Sequence, residues 1–421
     1  MCGIVGYVGY DEAAGKIIEG LKKLEYRGYD SSGIAILSDK GIELNKCKGE
    51  IKNLENMIAG RVPSGTCGIG HTRWATHGAP SDVNSHPHMD QSGRVALVHN
   101  GIVENYVELK EALINEHGIK FKSETDSEVI AQLVGVKYNA NGGDLEKAVY
   151  DATKEMRGTY AIGVIAEDTP NKIVAYRKEA PLIAGLGKKS NFIASDIPAL
   201  LKYTNDIFLI ENDEMVICTP DSITIKDKDG KEVKREAMKI TWSVEDAEKG
   251  GYEHFMLKEI NEQPKVVAET LNRRIDEDGK IKLDGINLTK EELDKYNKIY
   301  IVACGTAYHA GLVGKYVIEK MAGIAVEVDV ASEFRYRDPF IDEKTLFIAI
   351  SQSGETLDTL MSLRLAKEKG ARVLSVVNVV GSSIARESDD VFYTWAGPEI
   401  AVASTKAYTT QLVCMYLIAL Y

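Results

Sequence analysis

A chain of 421 residues exceeds what one ordinary hydrophobic core organises, and with 44% hydrophobic and 27% charged residues it reads as a globular protein of two or more domains. The formal net charge of -12 has no basic patch to offset it, which argues against nucleic acid and an anionic membrane surface, and no apolar run reaches the roughly 18 residues of a membrane span. Six cysteines without a C-x-x-C pair or a secretory leader predict free thiols in a reducing cytoplasm.

The chain opens on Met1-Cys2-Gly3-Ile4-Val5-Gly6. Methionine is readily trimmed before a small side chain, which would leave Cys2 with a free α-amine beside its own thiol. A thiol is nucleophilic as thiolate, and an α-amine titrating near ~8 is a base matched to neutral pH. Cys2 fits a small buried position at the start of a strand just as well. Residues 4–8 read as that strand, and Ala14, Ile17, Ile18, Leu21 and Leu24 fall at helical spacing. The polar, Gly-rich turn over 24–33, holding Tyr29 and Asp30, is either a plain connection or a gate over the nucleophile.

The window from Cys67 to Gly101 is richer. A strand over 67–72 runs into Arg73-Trp74-Ala75-Thr76-His77-Gly78, then a polar loop with His86 and His88, then a strand over 94–99 and Asn100-Gly101. Five of the eight histidines lie here, but without the tight spacing of zinc ligands, so no metal is expected. Arg73 offers a fork for a carboxylate, and Asn100-Gly101 a side-chain amide and an unhindered N–H for an oxyanion. Together they suit an α-amino acid amide set before Cys2. Downstream, 123–128 opens a helix over 128–136, and its acids serve either as caps or as acceptors for a substrate ammonium.

From 143 to 235 short β-rich runs alternate with turns, the spacing of antiparallel layers, and the charged stretch 226–239 suits a solvated hairpin tip. A polar segment over 242–251 marks a linker, followed by a helix from about Tyr252 toward Gln263-Pro264. Beyond it, strands over 298–303, 345–350 and 373–377 alternate with helices over 310–321 and 358–369, as in parallel α/β folds. The turns after these strands carry Cys304-Gly305-Thr306, then Ser351-Gln352-Ser353-Gly354-Glu355-Thr356, then Gly381-Ser382-Ser383. Such hydroxyl-rich turns at helix N-termini are either N-caps or a phosphate site built without lysines. No Walker A or G-x-G-x-x-G pattern points to a nucleotide.

MCGIVG, LEYRGYDSSG, HTRWATHG, HNGIVEN and SETDSE, in this order, resemble the glutaminase domain of the class II, N-terminal-nucleophile amidotransferases. The resemblance implies a four-layer αββα sandwich, with Cys2 as nucleophile and its α-amine as base. It also implies that Arg73 and Asp126 hold glutamine, that Thr76, His77 and Gly101 line the pocket, that Asn100 and Gly101 form the oxyanion hole, and that Trp74 and Tyr29 close it. ACGTAYHA, ASEFRYR, SQSGET, NVVGSS and VASTKAYTTQ resemble a sugar isomerase (SIS) domain. That implies a sugar phosphate held by Thr306, Ser351, Gln352, Ser353 and Thr356, with Cys304, Gly305 and Val402 near the sugar.

The combination is similar to the isomerising glutamine:fructose-6-phosphate aminotransferases. It implies a glutaminase domain over 1–240, a linker and leading helix over 241–265 and an SIS domain over 266–421. The family also implies glutamine and fructose 6-phosphate as substrates, no cofactor, and a homodimer formed through SIS domains. Members of the family carry a second SIS domain and a tail with the Schiff-base lysine, and this sequence ends in the bare apolar run 412–421, so a fragment of a longer protein is expected. Lys406 lies outside the Schiff-base motif and is expected to be structural. The rivals are an amidophosphoribosyltransferase, which would need paired acids in a pyrophosphate loop, a fragment competent only in glutamine hydrolysis, and a sugar-phosphate sensor.

Overall fold

The computed structural model describes residues 2–25, 28–75, 77–240, 249–276, 278–283 and 285–421. Two compact units divide the chain, Met1–Val244 and Glu245–Tyr421. Most of the expected linker, 241–248, lies outside the described residues.

The first unit holds two antiparallel sheets. One has eight strands in the order Met238–Lys239, Asp206–Leu209, Ile183–Leu186, Ser190–Ala194, Gly3–Gly9, Cys67–Arg73, Ser31–Ser38, Gly41–Lys48. The other has six, in the order Ile223–Lys226, Glu214–Cys218, Ile173–Lys178, Gly158–Ala166, Val95–Val103, His88–Met89. Side-chain alternation explains the layering. On Val95–Val103, Ala96 and Val98 meet Ile4, Val8 and Ile69 of the first sheet, whereas Val95 and Leu97 pack on Val129, Leu133 and Val149 of two helices, Asp126–Ala140 and Leu145–Glu155. The helix Ala13–Leu24 buries Ile17, Leu21 and Leu24 against the outer face of the eight-stranded sheet. The αββα sandwich is thus borne out.

The second unit is a five-stranded, wholly parallel sheet in the order Ala325–Val330, Lys298–Ala303, Thr345–Ser351, Arg372–Val377, Asp390–Tyr393. Both faces are covered, which is why its strands read as continuous apolar runs. Ile299, Ile301 and Ile348 pack with Ile318, Cys414 and Met415, while Tyr300, Val302 and Phe347 pack with Phe334, Leu360 and Ile384. The strand order reverses between Lys298–Ala303 and Thr345–Ser351, so a crevice opens at the carboxyl ends of those two strands.

Several elements differ from the sequence expectation. The edge strands Gly41–Lys48, Ala325–Val330 and Asp390–Tyr393 and the helices Ile51–Ile58, Tyr106–His117 and Leu145–Glu155 went unread. Their half-exposed, charge-bearing patterns imitate loops. The last of these helices opens the stretch taken as β-rich, and Asp144 caps it by accepting the Lys147 N–H at 3.0 Å. The helix expected to run toward Pro264 is Phe255–Asn272 and passes through that proline. The Ile260 carbonyl, which a proline at 264 leaves without its helical donor, accepts Gln263 Nε2 instead at 3.2 Å. The hairpin tip narrows to a turn in which the Asp227 N–H donates to the Lys231 carbonyl at 2.9 Å. Nor is the terminal apolar run bare. In Lys406–Leu420, residues Ala407, Cys414, Met415 and Leu417 are buried, packed with Gly305–Ala322 and Phe255–Asn272.

Ile348 is fully buried at the centre of the parallel sheet. Ile348→Ala is expected to lower the stability of the second unit by about 2–5 kcal/mol. The urea midpoint of that unit, followed by the fluorescence of Trp395, measures the loss.

Candidate active site

Cys2 immediately precedes the buried strand Gly3–Gly9, whose Gly3 pairs with Thr72, so the cysteine falls beside Arg73 and Trp74 at the end of the neighbouring strand. Its Sγ accepts the Trp74 N–H at 3.3 Å and lies 3.5 Å from the Trp74 carbonyl. Burial pushes the Cys2 thiol above its ordinary value, and the Trp74 N–H and the Arg73 charge only partly oppose it. A thiol so placed needs a base beside it to act at neutral pH.

From the facing sheet comes Asn100, whose Nδ2 donates to the Cys2 carbonyl at 3.2 Å. Gly101 follows with φ +116, and a Cβ there would stand 2.0 Å from the Thr159 carbonyl oxygen. Only glycine can hold this backbone. Arg73 is buried, with Nη2 donating to the His77 carbonyl and, at 3.0 Å, to the Gly78 carbonyl, while its buried Nη1 has no hydrogen-bond partner among the described residues. A guanidinium tied on one nitrogen and open on the other suits a carboxylate. Asp126 begins the helix Asp126–Ala140, and its Oδ2 accepts the Val103 N–H at 3.0 Å. The His77 ring stands edge-on to Tyr106 at 5.4 Å. Trp74 and Tyr29, each about half exposed, meet edge-to-face at 5.4 Å and form an aromatic cover. Thr76 lies outside the described residues.

Two residues that sequence reasoning did not single out organise this constellation. The Asp30 N–H donates to the Arg73 carbonyl at 3.1 Å and its Oδ2 accepts the Ala75 N–H, so the turn is strapped to the strand end. The buried His71 donates from Nε2 to the His99 carbonyl at 2.9 Å and to Asn100 Oδ1 at 3.0 Å. Around it His86, His88 and His99 are also buried. Burial holds all four below the ordinary histidine range, His71 down to about 3. Their clustering in the sequence was visible, but their neutrality follows only from burial between the sheets.

In the second unit the turns after Lys298–Ala303 and Thr345–Ser351 stand side by side, because Ala303 pairs with Ile350. Ser351 Oγ and Thr356 Oγ1 are 3.0 Å apart, and Ser351 Oγ also accepts the Gly354 N–H at 3.0 Å. Thr356 precedes the helix Leu357–Glu368 without capping it, and Ser353 Oγ accepts the Glu355 N–H at 3.2 Å. Gly354 takes φ +65, where a Cβ would sit 1.9 Å from Ser382 Oγ. Glu355 accepts Ser383 N–H and Oγ–H, each at 2.8 Å, and pins the third turn to the second. Gly305 and Thr306 are exposed at the start of Gly305–Ala322, and Cys304 is half-buried before them. Val402 stands 81% exposed on a separate segment, which is tied to the second turn through Asn378: its N–H donates to the Gln352 carbonyl at 3.1 Å and its Nδ2 to the Gly397 carbonyl at 2.7 Å. Lys406 is buried against Glu262 at 2.6 Å.

Residues 71–202 match the glutamine amidotransferase domain family, and residues 292–421 match the SIS domain family. The whole chain aligns with glutamine–fructose-6-phosphate aminotransferase (isomerizing) of Clostridium tetani at 61% identity over 69% of that protein, and with its Clostridium perfringens counterpart at 60% over 68%. Among solved structures, the C-terminal domain of glucosamine-fructose-6-phosphate aminotransferase from Francisella tularensis is 50% identical, with a TM-score of 0.39, across 41% of this chain and 48% of that one.

The four buried histidines set an acid limit. Their folded pKa values lie below the unfolded value of about 6.5, so the unfolded chain binds more protons in acid. Their contribution is complete above about pH 6.5 and is lost as pH falls toward the folded values. The melting temperature of the first unit is expected to fall steadily from pH 7 to pH 5, as calorimetry can record; a flat profile would contradict the neutral cluster.

Proposed function

The chain belongs to the glutamine–fructose-6-phosphate aminotransferase (isomerizing) family, and from that premise we propose how its residues divide the work of hydrolysing glutamine and aminating fructose 6-phosphate. With Met1 removed, the α-amine of Cys2 takes the thiol proton as Sγ attacks the side-chain amide carbon of glutamine. Asn100 Nδ2–H and the Gly101 N–H bind the resulting oxyanion. The C–N bond breaks, the amine returns the proton to the leaving nitrogen, and ammonia departs from a γ-glutamyl thioester. Water, deprotonated by the same amine, then cleaves the thioester to glutamate and restores the thiol.

Arg73 Nη1 takes the substrate carboxylate and Asp126 its ammonium. His77 lines the pocket, and Trp74 with Tyr29 covers it. The observation that carries this half is Cys2 bonded to both Trp74 and Asn100, beside an arginine whose buried Nη1 has no partner among the described residues.

In the SIS unit, the helix N-terminus at Leu357 and the side chains of Thr306, Ser351, Gln352, Ser353 and Thr356 hold the phosphate of fructose 6-phosphate. Cys304, Gly305 and Val402 face the sugar. Ammonia adds to the sugar carbonyl, the carbonyl oxygen leaves as water to give an imine, and isomerisation of that imine yields glucosamine 6-phosphate, a step of hexosamine biosynthesis. Ammonia must travel unprotonated, since ammonium is no nucleophile. A homodimer formed through SIS surfaces and a cytoplasmic location belong to the same reading; among the described residues no helix is long and apolar enough to cross a membrane.

Cys2→Ala is expected to lower glutamate release from glutamine by at least about 1,000-fold. Glutamate release at the wild-type rate would sink the mechanism. A preparation that retains Met1 should be equally inactive, which intact mass and a coupled glutamate assay establish together. Replacing both Ser351 and Thr356 by Ala should raise KM for fructose 6-phosphate by about 10-fold or more, since a hydrogen bond to a charged group is worth about 1.5–3 kcal/mol. Glutaminase activity in the absence of sugar should not change.

A further inference from the structure

His71 belongs to the strand Cys67–Arg73 of the eight-stranded sheet, opposite Ile4 on one neighbour and Gly33 on the other, and its side chain crosses to the facing sheet. There its Nε2 lies 2.9 Å from the His99 carbonyl oxygen and 3.0 Å from Asn100 Oδ1. A carbonyl oxygen only accepts, so Nε2 carries the proton. The second partner of that N–H must also be an acceptor, which makes it the Asn100 oxygen. At the other end, the Cys2 carbonyl lies 3.2 Å from Asn100 Nδ2 and again can only accept. Orientation of an asparagine amide is ordinarily ambiguous. Here two carbonyls, one from each sheet, leave a single solution.

We propose that His71 is a positioning residue for glutamine hydrolysis: its Nε2–H holds the Asn100 amide so that one Nδ2 hydrogen binds the Cys2 carbonyl and the other faces the oxyanion. This rests on the assignment of Asn100 as an oxyanion donor. His71 is fully buried and touches no reacting atom. Its ring packs at 4.1 Å on His86, and its buried Nδ1 has no partner among the described residues, so the bonds seen to orient it run through Nε2. Burial keeps the ring neutral and the tautomer constant through the working pH range. A hydrogen-bond donor aimed at developing charge is effective only when oriented beforehand, and Asn100 owes that orientation to His71.

His71→Leu and His71→Gln in the processed full chain test the inference. The amide nitrogen of glutamine reaches close to where imidazole Nε2 sits, so His71→Gln keeps the donor. His71→Leu should lower kcat for glutamine hydrolysis by about 10–100-fold with KM within about 3-fold, because the bond it loosens counts in the transition state. His71→Gln should hold kcat within about 5-fold of wild type. On an Asn100→Ala background, His71→Leu should cost nothing further, since its effect passes through the missing amide.

Unchanged kcat in His71→Leu, equal losses in the Leu and Gln variants, or losses that multiply in the double mutant would each overturn the proposal. If leucine prevents folding, His71→Asn replaces it: the shorter amide withdraws the donor, and the same contrast with His71→Gln is expected. Wild-type kcat in Asn100→Ala alone would remove the oxyanion assignment and the proposal with it, whereas a large loss there beside an inert His71→Leu would remove His71 only.

Discussion

Cys2 immediately precedes a strand of one sheet and Asn100 lies within a strand of the other, and the bond from Asn100 Nδ2 to the Cys2 carbonyl fastens the two sheets together there. Much of the first unit serves that contact. The inter-sheet core of Ile4, Val8, Ile69, Ala96 and Val98 sets the spacing, and His71 crosses the gap a short distance away. An oxyanion donor needs a fixed direction before charge develops, and a side chain on a loose loop would not hold it. Asn100 is tied at its oxygen to one sheet by an imidazole and at its nitrogen to the cysteine's own backbone.

The substrate arms hang from the same frame. Arg73 ends the strand that carries His71, and Asp126 starts a helix while bonded to the Val103 N–H near the end of the strand that carries Asn100. Arg73 and Asp126 are thus held from opposite sheets, and their separation is set by the sandwich rather than by a loop. Asp30 works in the same sense at the mouth, joining the aromatic-bearing turn to the residues beside the cysteine.

The second unit gathers its hydroxyl-rich turns by a different device. Parallel strands place every following helix N-terminus at one edge of the sheet, and the reversal of strand order between the first and third strands of the unit in chain order opens the crevice there. Ser351, Ser353 and Thr356 mostly bond one another and nearby backbone N–H groups, and Glu355 locks the neighbouring turn. The turn is organised by its own hydrogen bonds around helix amides that Thr356 leaves uncapped.

What the sequence determined by itself was chemical identity: a cysteine at position 2, an arginine, an Asn-Gly pair and an acid at motif spacing, hydroxyl-rich turns after apolar strands, and the class of both folds. These were legible because they rest on short-range pattern, residue type and resemblance. The half-exposed edge strands and the helices at 51–58, 106–117 and 145–155 were not, since their polar faces look like loop until a neighbour covers the other side. Nor could periodicity foresee a helix running through Pro264, where the Gln263 side chain satisfies the freed carbonyl. Only tertiary structure decided the roles of Asp30 and His71. An aspartate in a polar turn or a histidine in a strand carries no mark of its partners, and a tautomer becomes definite only when a carbonyl of the facing sheet meets the ring.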